Sequence, residues 1–310
     1  MRRIACWIAV ALAAPSTFAQ SPGDTFSDCD ICPEMVVMPT GRFEMGTPLG
    51  AYEVHEESGE GPPVQVTIRR AYALGRTEVT IGQFRAFVED TGYQTQRGCT
   101  SWNQGWKTDP EGSWEKPGQP QRPDNNHPVS CLSFADADAY VNWLTDTTGK
   151  PYRLPSESEW EFAARAGTAW PRPWGANNSF EGVSISLTCE HANVYDVDSQ
   201  KSFTLPWPYA RCRDGFADVA PVGSFQASAY GLHDMIGNLW EWTADCFTAS
   251  YWGRPPDERA WVWEGGCERR VIRGGAWISR PANARPARRE DAPVEGRGND
   301  LGFRVARHLN

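Results

Sequence analysis

The sequence predicts a loop-rich α+β fold stapled by disulfides, and three observations point to it. Glycine and proline are abundant and dispersed, 29 and 24 of 310 residues, which interrupts long regular elements. Strand-like and helix-like patterns both occur and both are short, so neither a helix bundle nor an alternating βαβ sheet fits. Eight cysteines follow an N-terminal export pattern, the setting in which disulfides form. At 40% hydrophobic and 22% charged the chain is globular in composition, and its length alone would allow two domains.

In chain order, Arg2 and Arg3 precede an apolar stretch, Ile4 to Ala14, and Thr17-Phe-Ala19 reads as a cleavage site. Residues 1–19 are therefore expected to be a signal peptide, giving an exported protein, periplasmic or secreted. Cleavage takes the net charge from −9 to −11. Cys6 leaves with the signal; Cys29, Cys32, Cys99, Cys131, Cys189, Cys212, Cys246 and Cys267 remain, enough for four disulfides whose pairing the spacing does not resolve. Cys29-Asp-Ile-Cys32 has redox-motif spacing but lies in a polar stretch, where a structural staple is the better reading.

Residues 20–34 read as a linker, and 35–308 as the folded domain. Met35–Met38, Phe43–Gly46 and Val64–Arg69 read as strands. Three helices follow: Thr80 to Gly92, with Thr80 as N-cap; Ser133 to Gly149, with Asp136 at the capping-box position; and Ser156 to Gly167, opened by the capping box Ser156-Glu-Ser-Glu159. Gly167 reads as a C-cap. The long stretches Gln94 to Asn126 and Gly175 to Val219 are irregular; Trp102, Trp106 and Trp114 in the first favour ordered, functional loops. No fixed-period repeat occurs, and no apolar run reaches the roughly 18 residues of a membrane span. The acidic balance argues against nucleic-acid binding.

One segment runs against that balance. From Arg269 to Asn310 there are ten arginines and four acidic residues. Two readings stand: pairing with the acidic remainder of the chain, or a pocket for a carboxylate-bearing substrate, since arginine binds carboxylates in bidentate fashion.

Several segments, in order, resemble the formylglycine-generating enzyme family, also called the sulfatase-modifying-factor family. They are Met35-Val-Val-Met-Pro-Thr-Gly-Arg-Phe-Glu-Met-Gly46, Glu78-Val-Thr80, His127-Pro-Val129, Tyr152-Arg-Leu-Pro-Ser-Glu-Ser-Glu-Trp-Glu-Phe-Ala-Ala-Arg165, Ala220-Pro-Val-Gly-Ser-Phe225, Tyr230-Gly-Leu-His-Asp-Met-Ile-Gly-Asn-Leu-Trp-Glu-Trp242, Arg273-Gly-Gly-Ala-Trp277 and Leu301-Gly-Phe-Arg304. The resemblance implies one compact C-type-lectin-like domain with little regular secondary structure, which overrides the two-domain allowance. It also implies structural calcium, at Asn193, Val194, Asp214 and Phe216 for one site and Asp234, Gly237, Leu239 and Glu241 for a second. Hard oxygen donors, backbone carbonyls included, suit that ion. On residue type alone, Asn193 and Asp214 also read as turn residues and Glu241 as an arginine partner.

The chain departs from the family where the resemblance places a pair of copper-binding cysteines. Ser279 stands at the first of those positions, the second has no counterpart, and a serine hydroxyl does not replace a thiolate as a Cu(I) ligand. His55, His127, His191, His233 and His308 show no helical metal-pair spacing, so iron chemistry is not indicated and any redox metal is left unspecified. An exported branch of the superfamily also lacks the cysteine pair. Ser279, Arg285 and Glu290 are the candidate catalytic residues; Glu290 and Asp291 are flanked by Arg288 and Arg289, which suits an ion pair better than a general acid. The expected activity is that of an oxidoreductase or maturation factor on a peptide or peptide-derived substrate, with a non-catalytic binding module as the alternative. Asn177-Asn178-Ser179 fits a glycosylation triplet, a short pattern common by chance.

Overall fold

The computed structural model describes residues 20–47, 59–102, 105–118, 123–175 and 187–309. The signal segment, His55 and the Asn177 triplet lie outside the described residues.

Two sheets organise the domain. The first has the order β1-β2-β5-β13-β8, from β1 (Thr25–Phe26), β2 (Met35–Met38), β5 (Tyr72–Gly75), β13 (Ala306–His308) and β8 (Tyr152–Arg153). Its neighbours pair antiparallel, with Val36 opposite Leu74 and Ala306 opposite Leu74 and Arg153. The last strand, β13, thus lies inside the sheet, between β5 and β8. The second sheet, β11-β10-β9-β12, comprises β9 (Trp240–Cys246), β10 (Arg269–Arg273), β11 (Arg289–Pro293) and β12 (Leu301–Gly302). Two hairpins stand apart: β3 (Gly41–Met45) with β4 (Val64–Ile68), and β6 (Cys99–Trp102) with β7 (Trp106–Asp109). The stretch 20–34 carries β1 and a disulfide between Cys29 and Cys32, so it is the edge of the first sheet.

The three expected helices form because their ends are chemically marked. Helices α1 (Ile81–Thr91), α2 (Phe134–Thr148) and α3 (Glu157–Arg165) each begin with a complete capping box, on Thr80, Ser133 and Ser156. There a side-chain oxygen and an N3 side chain satisfy otherwise orphaned amides. Gly92 and Gly149 end the first two in the left-handed conformation. The third ends one residue earlier than expected, with Ala166 left-handed at φ 46°. Gly167 completes the turn at φ 81°, and a Cβ there would sit 3.3 Å from the Tyr230 hydroxyl.

The core is aromatic. Phe84, Phe87, Tyr140, Trp143 and Phe303 pack α1 against α2 and the chain end, with ring centroids 5.3 to 6.0 Å apart. Trp160 and Trp242 are fully buried. Four disulfides, Cys29–Cys32, Cys99–Cys131, Cys189–Cys212 and Cys246–Cys267, staple the loops.

Candidate functional site

A cleft of about 770 Å³ opens at one end of the second sheet. All four strands line it, β9 with Trp240, β10 with Ile272, β12 with Leu301 and β11 with Glu290, Asp291, Ala292 and Pro293. Trp106 and Trp207 add aromatic surface, and the loops after β10 and before β12 add polar groups. The aromatic wall is braced: Trp102 contacts Trp106 and Trp207 at 5.5 and 5.6 Å between ring centroids, and the Trp207 indole N–H donates to the Ile278 carbonyl at 3.1 Å. The Trp240 amide donates to the Asp300 carbonyl at 2.8 Å, fixing the last loop to the strand beside it. A concave, mainly apolar site with a few convergent polar groups is the usual form of a small-ligand pocket.

Of the three candidate catalytic residues, the fold brings two into this cleft. Ser279 lines it. Its hydroxyl oxygen accepts the Ala276 amide at 2.9 Å, its own amide donates to the Ala276 carbonyl at 2.8 Å, and its carbonyl accepts the Tyr195 amide. The side chain closes a turn, and among the described residues no carboxylate or imidazole is hydrogen-bonded to it. Glu290 also lines the cleft, in an ion pair with Arg288. Arg285 does not; its guanidinium turns inward to Glu60 and to the Thr47 hydroxyl at 3.2 Å. Burial pushes the Glu60 carboxyl up, but Arg285, Thr47 and Arg288 outweigh it and hold it below the usual carboxylate value.

Behind the cleft lies a buried lattice of arginines and carboxylates. Arg273 is fully buried on Glu161, with two further bonds to the carbonyls of Ala287 and Arg288 at 2.9 and 2.7 Å. Arg289 is paired with Glu157 at 2.7 Å and Arg165 with Glu161 at 2.6 Å. Burial works against Glu157, yet Arg289, Arg273 and Arg254 keep its carboxyl below the ordinary value. These pairs tie α3 to the loop that carries Arg285 and Arg288.

The copper chemistry of the wider family has no donor set here. All eight cysteines among the described residues are in disulfides, so none of them offers a thiolate. The described histidines are scattered. His127 bonds Asp124, His233 bonds the Phe225 carbonyl, His308 meets Arg153, and His191 stacks on Trp174. Among the described residues no three metal-binding side chains gather.

The expected calcium positions give a mixed result. Asp214 accepts the Phe216 amide through Oδ1 at 2.8 Å, while its buried Oδ2 has no partner. Burial, with the nearby Asp196 charge, pushes this carboxyl up to about 7. Asp234 accepts the Gly223 amide through Oδ2 at 2.6 Å and likewise leaves a buried Oδ1 unpartnered; burial raises it too. Orphaned, desolvated carboxylate oxygens are what a hard cation would satisfy. The two sets adjoin: the Asn238 amide donates to the Asn193 carbonyl at 2.9 Å, and a Cβ on Gly237 would collide with that carbonyl. Glu241 differs. Arg304 and the Trp160 indole N–H place four donor contacts on its two oxygens, which occupies the lone pairs a cation would need. The residue that sequence reasoning passed over is Glu78. It is buried beside Asp234 with Oε2 unpartnered, Oε1 accepts the Asn238 side chain at 3.0 Å, and its carboxyl is pushed well up by burial and by Asp234. The signal was present, an acidic residue two positions before the Thr80 cap, but its neighbours come from distant loops.

Comparison with known proteins agrees with this architecture. A protein-family model described as the sulfatase-modifying factor enzyme 1-like domain matches residues 22–309. The chain is 31% identical to the "inactive C-alpha-formylglycine-generating enzyme 2" of Mus musculus, over 88% of this chain and 85% of that protein. It is also 31% identical to a formylglycine-generating enzyme of Streptomyces coelicolor, over 96% of each. The solved structure of PvdO from Pseudomonas aeruginosa superposes with a TM-score of 0.77 at 36% identity, covering 94% of this chain and all of that one. With the family pattern running through both sheets and the matched residues 22–309 spanning the cleft, this chain belongs to the sulfatase-modifying-factor, or formylglycine-generating-enzyme-like, family.

Proposed function

We propose that this protein is exported and binds a peptide or peptide-derived substrate in the tryptophan-lined cleft, acting there as an oxidoreductase or maturation factor by chemistry other than cysteine-held copper. The observation that carries this reading is a formed cleft lined by Ser279, where the family resemblance expects a thiolate, while every cysteine among the described residues is locked in a disulfide. The four disulfides also support an oxidising compartment. In this reading Ser279, its oxygen fixed by the Ala276 amide, offers a hydrogen bond to the substrate. Glu290 is a charged wall held by Arg288, and Arg285 holds the loop by its bond to Glu60. Calcium belongs to the same proposal as a structural ion, held through Asp214 with Asn193, Val194 and Phe216, and through Asp234 with Gly237, Leu239 and Glu78; Glu241 would join only by leaving Arg304.

The test is protein-dependent oxygen uptake with peptide fractions from the exported milieu, followed by mass spectrometry of the peptides. Uptake together with a changed peptide mass is expected. The second reading, a binding module on the same scaffold, is favoured by the turn-closing role of the Ser279 oxygen. A ligand retained stoichiometrically and recovered unchanged, with no oxygen consumed, would establish it instead.

A further inference from the structure

The cleft contains two charged side chains with no ion-pair partner among the described residues. Of the ten arginines from Arg269 onward, nine donate to a carboxylate or a carbonyl, as Arg273, Arg289 and Arg304 do. Arg280 is the exception. Among the described residues its guanidinium has neither a hydrogen bond nor an ion pair; it lies exposed at the cleft, 5.7 Å from the centroid of the Trp207 ring. The acids of the cleft repeat the pattern. Glu290 is paired with Arg288 and Asp291 with Arg269, but Asp300 has no cation among the described residues. Its carboxylate folds over Gly298, where any Cβ would strike Oδ1, and its carbonyl holds Trp240. Burial pushes the Asp300 carboxyl up to about 6.

We propose that Arg280 and Asp300 are the two poles of a ligand site, and that the cleft takes a small zwitterion built from amino acids. A carboxylate of the ligand meets the Arg280 guanidinium, an ammonium meets the Asp300 carboxylate, and the chain between them lies along Trp207 and Trp240. Each pole is chemically suited. A guanidinium lying against an aromatic ring presents its N–H fork to a planar anion, and a carboxylate in a tryptophan-lined recess gains from an ammonium that is itself attracted to aromatic faces. The size also fits: a compact cleft of this volume is roughly 11 Å across, the reach of about three extended residues. The other charged groups at the cleft already have partners, Arg288 with Glu290, Asp291 with Arg269 and Arg297 with the Glu295 carbonyl, and compete weakly. This inference rests on the cleft being the substrate site and does not require turnover.

The experiment is ligand-observed NMR on the full mature protein with triglycine, N-acetyl-triglycine and triglycine amide, each at millimolar concentration. Triglycine is expected to bind about tenfold more tightly than the acetylated form and about threefold more tightly than the amide, the arginine pole being more exposed. Asp300→Asn should remove the first difference and Arg280→Gln the second, with melting temperatures confirming that both variants fold. The amine-dependent part of binding should grow as pH rises through about 6, where Asp300 ionises. Equal binding of all three peptides, or binding of none, overturns the proposal. Absence of oxygen uptake alone would remove the enzymatic reading and leave this one standing.

Discussion

The buried lattice behind the cleft and the cleft itself are built from the same stretch of arginines, yet they use them in opposite ways. Arg273, Arg289 and Arg304 are fully buried and held by carboxylates and carbonyls, and of their nitrogens only the Arg273 Nε lacks a hydrogen bond among the described residues. Arg280, seven residues after Arg273, is exposed and lies on a tryptophan face. A buried guanidinium needs carboxylate and carbonyl partners, because a buried charge left uncompensated carries a large desolvation cost. At the cleft, water covers that cost until a ligand displaces it. Burial thus decides whether an arginine fixes the fold or recognises a ligand.

The largest expected effect breaks the paired side of this contrast. Arg304→Met leaves Glu241 buried without a cation and should cost about 3–5 kcal/mol in urea unfolding; a loss below about 1 kcal/mol would mean that the lattice is not under the strict pairing demand described here. Replacing Cys99 and Cys131 together by serine should cost about 3 kcal/mol. It should also loosen the cleft, since the Cys131 amide donates to the carbonyl of Gly298 in the loop that carries Asp300. Chelation should lower the melting temperature if calcium fills the orphaned carboxylates, by about 2.7 kcal/mol of stability for an ion present at a hundredfold over its Kd; an unchanged melting curve argues against the ion.

Acid offers a finer probe of the same lattice. The Glu157 and Glu60 carboxyls lie below their ordinary value of 4.5 in the folded state. Their contribution is therefore fully present above that value and is lost as pH falls through the lowered folded values. Stability measured from pH 6 down should fall mainly below about 4.5, and Glu157→Gln should flatten that fall. Smallest is Arg280→Gln, expected to change stability by less than about 0.5 kcal/mol while weakening ligand binding. A larger loss of stability would show that Arg280 has a structural partner.

Much of the local structure was legible in advance because its causes are local. Thr80, Ser133 and Ser156 cap the helices they were expected to cap, and Met35–Met38 is a strand as its apolar run suggests. Gly167 was placed one residue late as a cap, since the sequence does not show that Ala166 would take the left-handed turn with Gly167 following it against Tyr230. At the site, Ser279 and Glu290 were found from their place in the pattern. Arg285 was not distinguishable from its neighbours, because its orientation toward Glu60 depends on a partner 225 residues away in sequence. Glu78, quoted only within a motif, and Asp300 were not singled out as site residues for the same reason: their environment is supplied by Asn238, Asp234 and Trp240.

By itself the sequence determined the family, the loop-rich α+β class and the starts of the three main helices. Each of these is carried by residue identity and short spacing. The tertiary structure alone decided which cysteines pair, which arginines are spent on the interior, and which carboxylates are left with an unpartnered oxygen. Those outcomes depend on distance and desolvation, and both are set only when remote segments pack together.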